Sequence, residues 1–206
     1  MPDLTLLAVF IPTFLFVSIT PGMCMTLAMT LGMSIGVRKS LWMMAGELVG
    51  VGLVALAAVL GVATLMLNYP SVFAVFKYLG GAYLVYLGVN LWRSRGKFAI
   101  KAEAGPSPHP LALITQGFVT AVSNPKGWAF MVSLLPPFIN VERPLAPQLL
   151  ALLSIILVTE FGCLLLYASG GKTLKALLSR GDNLTLLNRI AGSLMLFVGL
   201  WLAFGD

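Results

Sequence analysis

Residues 16–25 read FVSITPGMCM, and Thr20, Pro21 and Gly22 sit inside an apolar run that extends from Leu4 to Leu31. A proline in a helix interior removes a hydrogen bond and clashes with the preceding turn, at a cost of roughly 3 kcal/mol. The triplet therefore marks a break in a segment otherwise suited to one continuous helix. A second stretch, VSNPK at 122–126, sets Pro125 into another apolar run in the same way. The fold is read from how these two stretches relate.

The chain around them belongs in a membrane. Of 206 residues, 59% are hydrophobic and 10% charged, and the mean hydropathy of +0.96 lies far outside the range of a soluble domain. About twenty apolar residues cross a bilayer as helix. Segments of that kind run approximately over 4–35, 41–67, 71–92, 111–139, 146–168 and 186–204. A β-barrel is excluded, because its strands alternate apolar and polar residues over about ten positions, whereas these segments are apolar all round. MPDLTLL at the start lacks the basic region of a cleavable signal, so the first segment is read as a helix.

Charge orients the spans. Arg38 and Lys39 follow the first, Arg93, Arg95, Lys97 and Lys101 follow the third, and Lys172, Lys175, Arg180 and Arg189 lie between the fifth and sixth. The alternate connections carry Lys77 and Arg143. This bias puts the first, third and fifth connections in the cytoplasm and both termini outside. The net charge of +6 thus reports topology, with no nucleic-acid partner implied. The longest connection, about 93–110, reads as a basic, Pro/Gly-rich flexible linker that divides the chain near its middle.

The two halves resemble each other. Pro21 corresponds to Pro125, Glu47 to Glu160, and the Gly81/Gly88 pair of GAYLVYLG to the Gly192/Gly199 pair of GSLMLFVG, at displacements of 104, 113 and 111 residues. Three landmarks in one order predict a duplicated three-helix unit. Because three is odd, the second unit enters the membrane from the opposite side. The expected fold is an all-α polytopic membrane protein: one membrane domain, 1–206, of six transmembrane helices as two inverted repeats, about 1–95 and 111–206, with the first helix of each broken. Matched interruptions in inverted repeats point to a transporter whose substrate site lies near the midplane.

The residues at the breaks have chemistry of their own. Thr20 before Pro21 and Asn124 before Pro125 fit a helix start, with a side-chain oxygen at the cap and proline at the first helical position. A half-helix N-terminus there, including Gly22, presents amide donors and a partial positive charge suited to a carboxylate. The plainer reading is a proline kink that only shapes packing. Glu47 and Glu160 cost roughly 3 kcal/mol each in hydrocarbon and are expected to face a cavity, there to hold or release a proton. Alternatively they bond neighbouring helices while neutral. Lys126 can neutralise a glutamate, bind a substrate carboxylate, or reach the cytoplasmic interface. Amide-rich helix ends opposite carboxyls match a zwitterion, and an amino acid is the simplest.

TPG in the first span, the acid of the second, KYLGGAYLVYLGVNLWRS at 77–94, QGFVTAVSNPKGWAFMVSLLPPF at 116–138 and NRIAGSLMLFVGLWLA at 188–203 together resemble the lysine exporter/homoserine-threonine exporter (LysE/RhtB) family over almost the whole chain. The resemblance implies a bacterial inner-membrane secondary transporter, not an enzyme, that exports amino acids by antiport with protons. The family commonly has a second proline where Met23 stands, and aspartate where Glu47 and Glu160 stand. The longer acid favours a shorter substrate.

Other features invite different functions. Cys24 and Cys163 do not share the symmetry of the repeat, since their counterparts are Trp128 and Gly50. An intramembrane thiol-disulfide oxidoreductase needs the two to meet, and core packing is the simpler reading. A cation exporter with the two glutamates as ligands is a further alternative. The ten methionines suit adaptable packing better than soft-metal handling. His109 is the single histidine, with no second imidazole to share a metal, and no nucleotide loop or acyl-transfer motif implies a cofactor. Gly81/Gly88 and Gly192/Gly199 permit close packing within a repeat or across a homodimer, while Trp92 and Trp201 suit the membrane interface.

Overall fold

The computed structural model describes residues 4–68, 70–93, 109–135, 138–140, 143–179 and 183–204. The central linker, with Arg95, Lys97 and Lys101, lies outside the described residues apart from its two ends. Within them are eight helices and no strand: α1 Leu4–Ile19, α2 Met23–Ile35, α3 Val37–Asn68, α4 Pro70–Arg93, α5 Pro110–Val122, α6 Pro125–Leu134, α7 Leu145–Ser179 and α8 Asn183–Phe204.

The first and fourth apolar segments are each divided in two. Leu7–Ile19 and Met23–Ile35 are bent by 55° at the Thr20–Gly22 break and together are long and apolar enough to cross a membrane. Val37–Gly61 and Leu145–Gly171 satisfy that condition singly. Pro12 lies inside α1 without ending it, so a proline alone does not decide a break. What distinguishes Pro21 is the set of partners waiting for the freed carbonyls, described below.

The starts of three helices follow the proline rule. Pro70, Pro110 and Pro125 each open a helix, where the missing amide would have had no intrahelical partner. His109 caps α5, its Nδ1 accepting from the Leu111 amide at 3.4 Å. Arg38 and Lys39 were expected in a connection and instead stand in the first turn of α3. Gly36 makes the whole turn from α2 at φ +82°, a conformation other residues adopt at a cost.

Packing depends on small residues at helix crossings. α4 lies along α8, and a Cβ on Gly88 would come within 2.7 Å of the Gly192 carbonyl oxygen, while one on Gly199 would come within 2.8 Å of the Gly81 oxygen. The two glycine pairs therefore pack on each other, between the halves of the chain, in place of the packing within a repeat or across a dimer that their spacing left open. α3 meets α5 as closely: Gly46 abuts the Ile114 backbone and Gly117 the Met43 carbonyl. Gly32 of α2 abuts Ala168 of α7 in the same manner. Backbone contact of this kind is how helices associate when the solvent is as apolar as the side chains.

Two apolar clusters result. One gathers Phe10, Phe14, Val54, Phe130, Phe138 and Ile156 from α1, α3, α6, the residues after α6, and α7. The other gathers Cys24, Met29, Met43, Leu113, Cys163 and Tyr167 from α2, α3, α5 and α7. The first break lies between them, with Val17 in the one cluster and Cys24 in the other. Outward faces are apolar too, with Val49, Leu53, Leu150 and Val158 all exposed, as a surface bathed in lipid requires.

Candidate functional site

α1 stops at Ile19, and each carbonyl of its last turn for which a bond is described is met by a side chain. Pro21 has no amide to give to the carbonyl four residues back, that of Val17. The Lys126 ammonium takes its place, donating from Nζ to the Val17 oxygen at 2.9 Å and to the Thr20 oxygen at 3.3 Å. Tyr167 donates its hydroxyl to the Ile19 oxygen at 2.7 Å. Thr20 Oγ1 donates to the Phe16 oxygen at 2.6 Å. A positive charge on carbonyls at a helix C-terminus is favourable twice, as hydrogen bond and as dipole partner.

The last bond corrects an expectation. Thr20 does not cap α2; its hydroxyl turns back onto α1, and Gly22 is the cap, with extended backbone and no side-chain hydrogen bond. The start of α2 thus has no side-chain cap of its own. At the second break Asn124 is the cap expected of it: Oδ1 accepts from the Lys126 amide at 3.1 Å. The freed carbonyls there are also met, Ala121 by the Asn124 amide at 3.2 Å and Val122 by Trp128 Nε1 at 2.8 Å.

Between the breaks lies a cavity of about 60 Å³, lined by Ser18, Thr20 and Gly22 from the first, Asn124 and Lys126 from the second, Cys24, Glu160, and an apolar rim that includes Phe14, Val51, Val54 and Phe130. The space admits a few water-sized groups, so a larger guest requires the rim to give. Glu160 is held at the wall by Ser18, whose Oγ donates to its carboxylate at 2.6 Å. The walls consequently carry one basic side chain, Lys126, and one carboxyl, Glu160, together with the start of α2 and apolar side chains.

Of the residues singled out in the sequence, Thr20, Gly22, Asn124, Lys126 and Glu160 come together on this cavity. Pro21 and Pro125, at the breaks themselves, are not among its lining residues. Glu47 is also absent from the wall, although expected there as the counterpart of Glu160. It is fully buried, close to Cys24 and Glu160, and neither of its carboxyl oxygens has a hydrogen-bond partner among the described residues. Gly117 of α5 packs against the α3 backbone at Met43 and Glu47, which closes that side. Cys24 accepts weakly from Asn124 Nδ2 at 3.7 Å, and both cysteines are buried free thiols.

Ser18, Tyr167 and Trp128 were missed from sequence. Ser18 is a polar residue two before Thr20, and Tyr167 is seven after Glu160 on the same helix face; position beside a break was the available signal. Trp92, read as an interface anchor, also has local partners, donating from Nε1 to Ser193 Oγ at 3.3 Å beneath the Arg189 guanidinium.

Known proteins share this sequence pattern along most of its length. The profile of the LysE type translocator family matches residues 15–205. A membrane protein of Vibrio cholerae is 28% identical over 208 residues, covering 98% of each chain. The homoserine/homoserine lactone efflux protein of Salmonella typhimurium is 27% identical over 194 residues, covering 94% of each. A membrane protein of Bacillus subtilis is 27% identical over 158 residues, 73% of this chain and 75% of its own. No solved structure matches.

Proposed function

The chain belongs to the LysE type translocator family, a family of transporters and not of enzymes, and from that premise we propose that it exports an amino acid or a close derivative from the cytoplasm. The observation that carries the reading is the meeting of both helix breaks on one cavity whose walls hold Lys126 and Glu160. A basic group and a carboxyl on the walls of one small space, in a setting of low dielectric, complement the two ends of a zwitterion. The name of the Salmonella relative points to homoserine and its lactone, and homoserine is a short substrate with an α-ammonium and an α-carboxylate.

In this reading the substrate carboxylate meets the amides at Thr20-Pro21-Gly22, where α2 begins uncapped, together with the Lys126 ammonium. Asn124 and Pro125 shape the opposing half-helix, and Glu47 and Glu160 receive the ammonium group or the coupling proton. Exchange of substrate for proton makes the protein an antiporter, with the two halves rocking to expose the site alternately. The reciprocal glycine packing of α4 on α8 and the paired breaks support six spans in one membrane domain, arranged as two inverted repeats. Lys and Arg bias supports termini on the outer face of the bacterial inner membrane. Family membership leaves the thiol-disulfide reading of Cys24 and Cys163 without support.

The test is counterflow. Purified protein in liposomes preloaded with unlabelled homoserine is expected to draw in labelled homoserine, and an inside-acid or inside-alkaline gradient is expected to drive net movement in opposite senses. Failure to exchange any amino acid or lactone, under any gradient, overturns the proposal.

A further inference from the structure

The repeat makes Glu47 and Glu160 counterparts, yet their surroundings differ. Glu160 lines the cavity, held by Ser18 at 2.6 Å and within electrostatic reach of Lys126. Glu47 is off the wall, 0% exposed, with no geometric hydrogen bond to either oxygen among the described residues and only the Glu160 carboxyl and the Cys24 thiol as polar groups beside it. We propose that the two carboxyls have separate tasks, Glu160 facing the substrate ammonium and Glu47 holding a proton that the substrate never touches. This rests on the exporter reading and divides its site.

The division follows from the partners each carboxyl has. A carboxylate taken out of water without a counter-cation or donors is several kcal/mol unfavourable, so Glu47 is a neutral acid in this conformation. The groups that face it are Cys24 from α2 and Glu160 from α7. α5 approaches it with Gly117, and neither α1 nor α5 carries a titratable side chain. The cation of the site, Lys126 on α6, is engaged by the Val17 and Thr20 carbonyls and is within electrostatic reach of Glu160. Glu47 can therefore exchange its proton with the cavity by way of Glu160. Once the substrate ammonium has left, the O–H bond of Glu47 breaks as Glu160 takes the proton in passage, Glu160 transiently the acid and Glu47 the carboxylate. The summed charge of the pair is unchanged.

The resting proton and the substrate then occupy different carboxyls, and the two isosteric variants must differ. Infrared difference spectra of the protein in liposomes, taken across a pH titration, are expected to contain the carbonyl band of a buried carboxylic acid that disappears in Glu47→Gln and persists in Glu160→Gln. A band that survives Glu47→Gln, or that is lost in Glu160→Gln alone, overturns the division. If Glu47→Gln does not assemble, Glu47→Asp must shift the band, and an unshifted band has the same adverse meaning. In transport, Glu47→Gln is expected to lose about tenfold of its response to an imposed pH gradient with a much smaller loss of homoserine counterflow, whereas Glu160→Gln loses both. The reverse pattern, or identical losses, also overturns it. A wild-type protein that moved no amino acid would remove the exporter reading, while the infrared band would still decide where the proton resides.

Discussion

The Lys126 ammonium lies 2.9 Å from the carbonyl oxygen of Val17, the acceptor that Pro21 deprives of its amide. One side chain from the second half of the chain thus completes a break made in the first. Lys126→Met is expected to leave the Val17 and Thr20 carbonyls unsatisfied, a loss of about 1–3 kcal/mol, read as a lower melting temperature in detergent. The same change removes the cation proposed to meet a substrate carboxylate. Homoserine counterflow should fall by more than about tenfold, while homoserine lactone, which has no free carboxylate, should lose less. Equal losses for both compounds would separate Lys126 from substrate recognition and leave it a structural role.

The two breaks look alike in sequence and are built differently. Asn124 caps α6 through Oδ1, so Asn124→Ala should cost about 0.5–2 kcal/mol, and Asn124→Asp should recover much of it. Thr20 bonds back to the Phe16 carbonyl, an arrangement that contributes little or slightly bends a helix. Thr20→Val keeps the shape and should leave thermal stability close to that of the wild type. Comparable losses at Thr20 and Asn124 would argue that both act as caps.

That contrast marks how far the sequence could be read. The breaks were legible because each proline follows a residue with a capping side chain inside an apolar run, and Glu47 and Glu160 were conspicuous because a carboxyl in hydrocarbon needs a reason. The Asn124 cap was legible since the amide it accepts from is two residues away. Thr20 was misread because a threonine before Pro21 offers the same hydroxyl to a helix start as to the turn behind it, and packing around the break decides between them. Tyr167, 148 residues from its acceptor Ile19, and Ser18, 142 from Glu160, depend on helix placement that no local pattern encodes. The repeat also implied equivalence for Glu47, which Gly117 and the α3–α5 contact remove.

The glycine contacts can be ranked. Gly88→Leu and Gly199→Leu each force α4 from α8, since even a Cβ would come within 3 Å of a carbonyl oxygen, and both should greatly reduce the yield of folded protein. Gly61 has open space around a Cβ and lies within α3, so Gly61→Ala should be neutral or stabilising by up to about 1 kcal/mol. Gly36 also has space, but at φ +82°, and Gly36→Ala should cost roughly 1–2 kcal/mol through backbone strain. Thermal unfolding of the four variants in one detergent distinguishes steric from conformational causes. An innocuous Gly88→Leu would contradict the α4–α8 crossing.

The cysteines give the last test, because they differ in access although both are buried. Cys24 lines the cavity and Cys163 packs in the apolar cluster behind it. In a Cys163→Ser background a small thiol reagent should alkylate Cys24 slowly, and homoserine should slow it further by occupying the space the reagent must enter. In a Cys24→Ser background the label on Cys163 should be insensitive to homoserine. The double serine variant should still carry out counterflow, since Ser at position 24 can accept from Asn124 as the thiol does and no step of the proposed cycle uses a thiol. Abolished transport in the double variant, with folding intact, would return the thiols to the mechanism. Homoserine protection of Cys163 in place of Cys24 would move the substrate along α7, away from the start of α2.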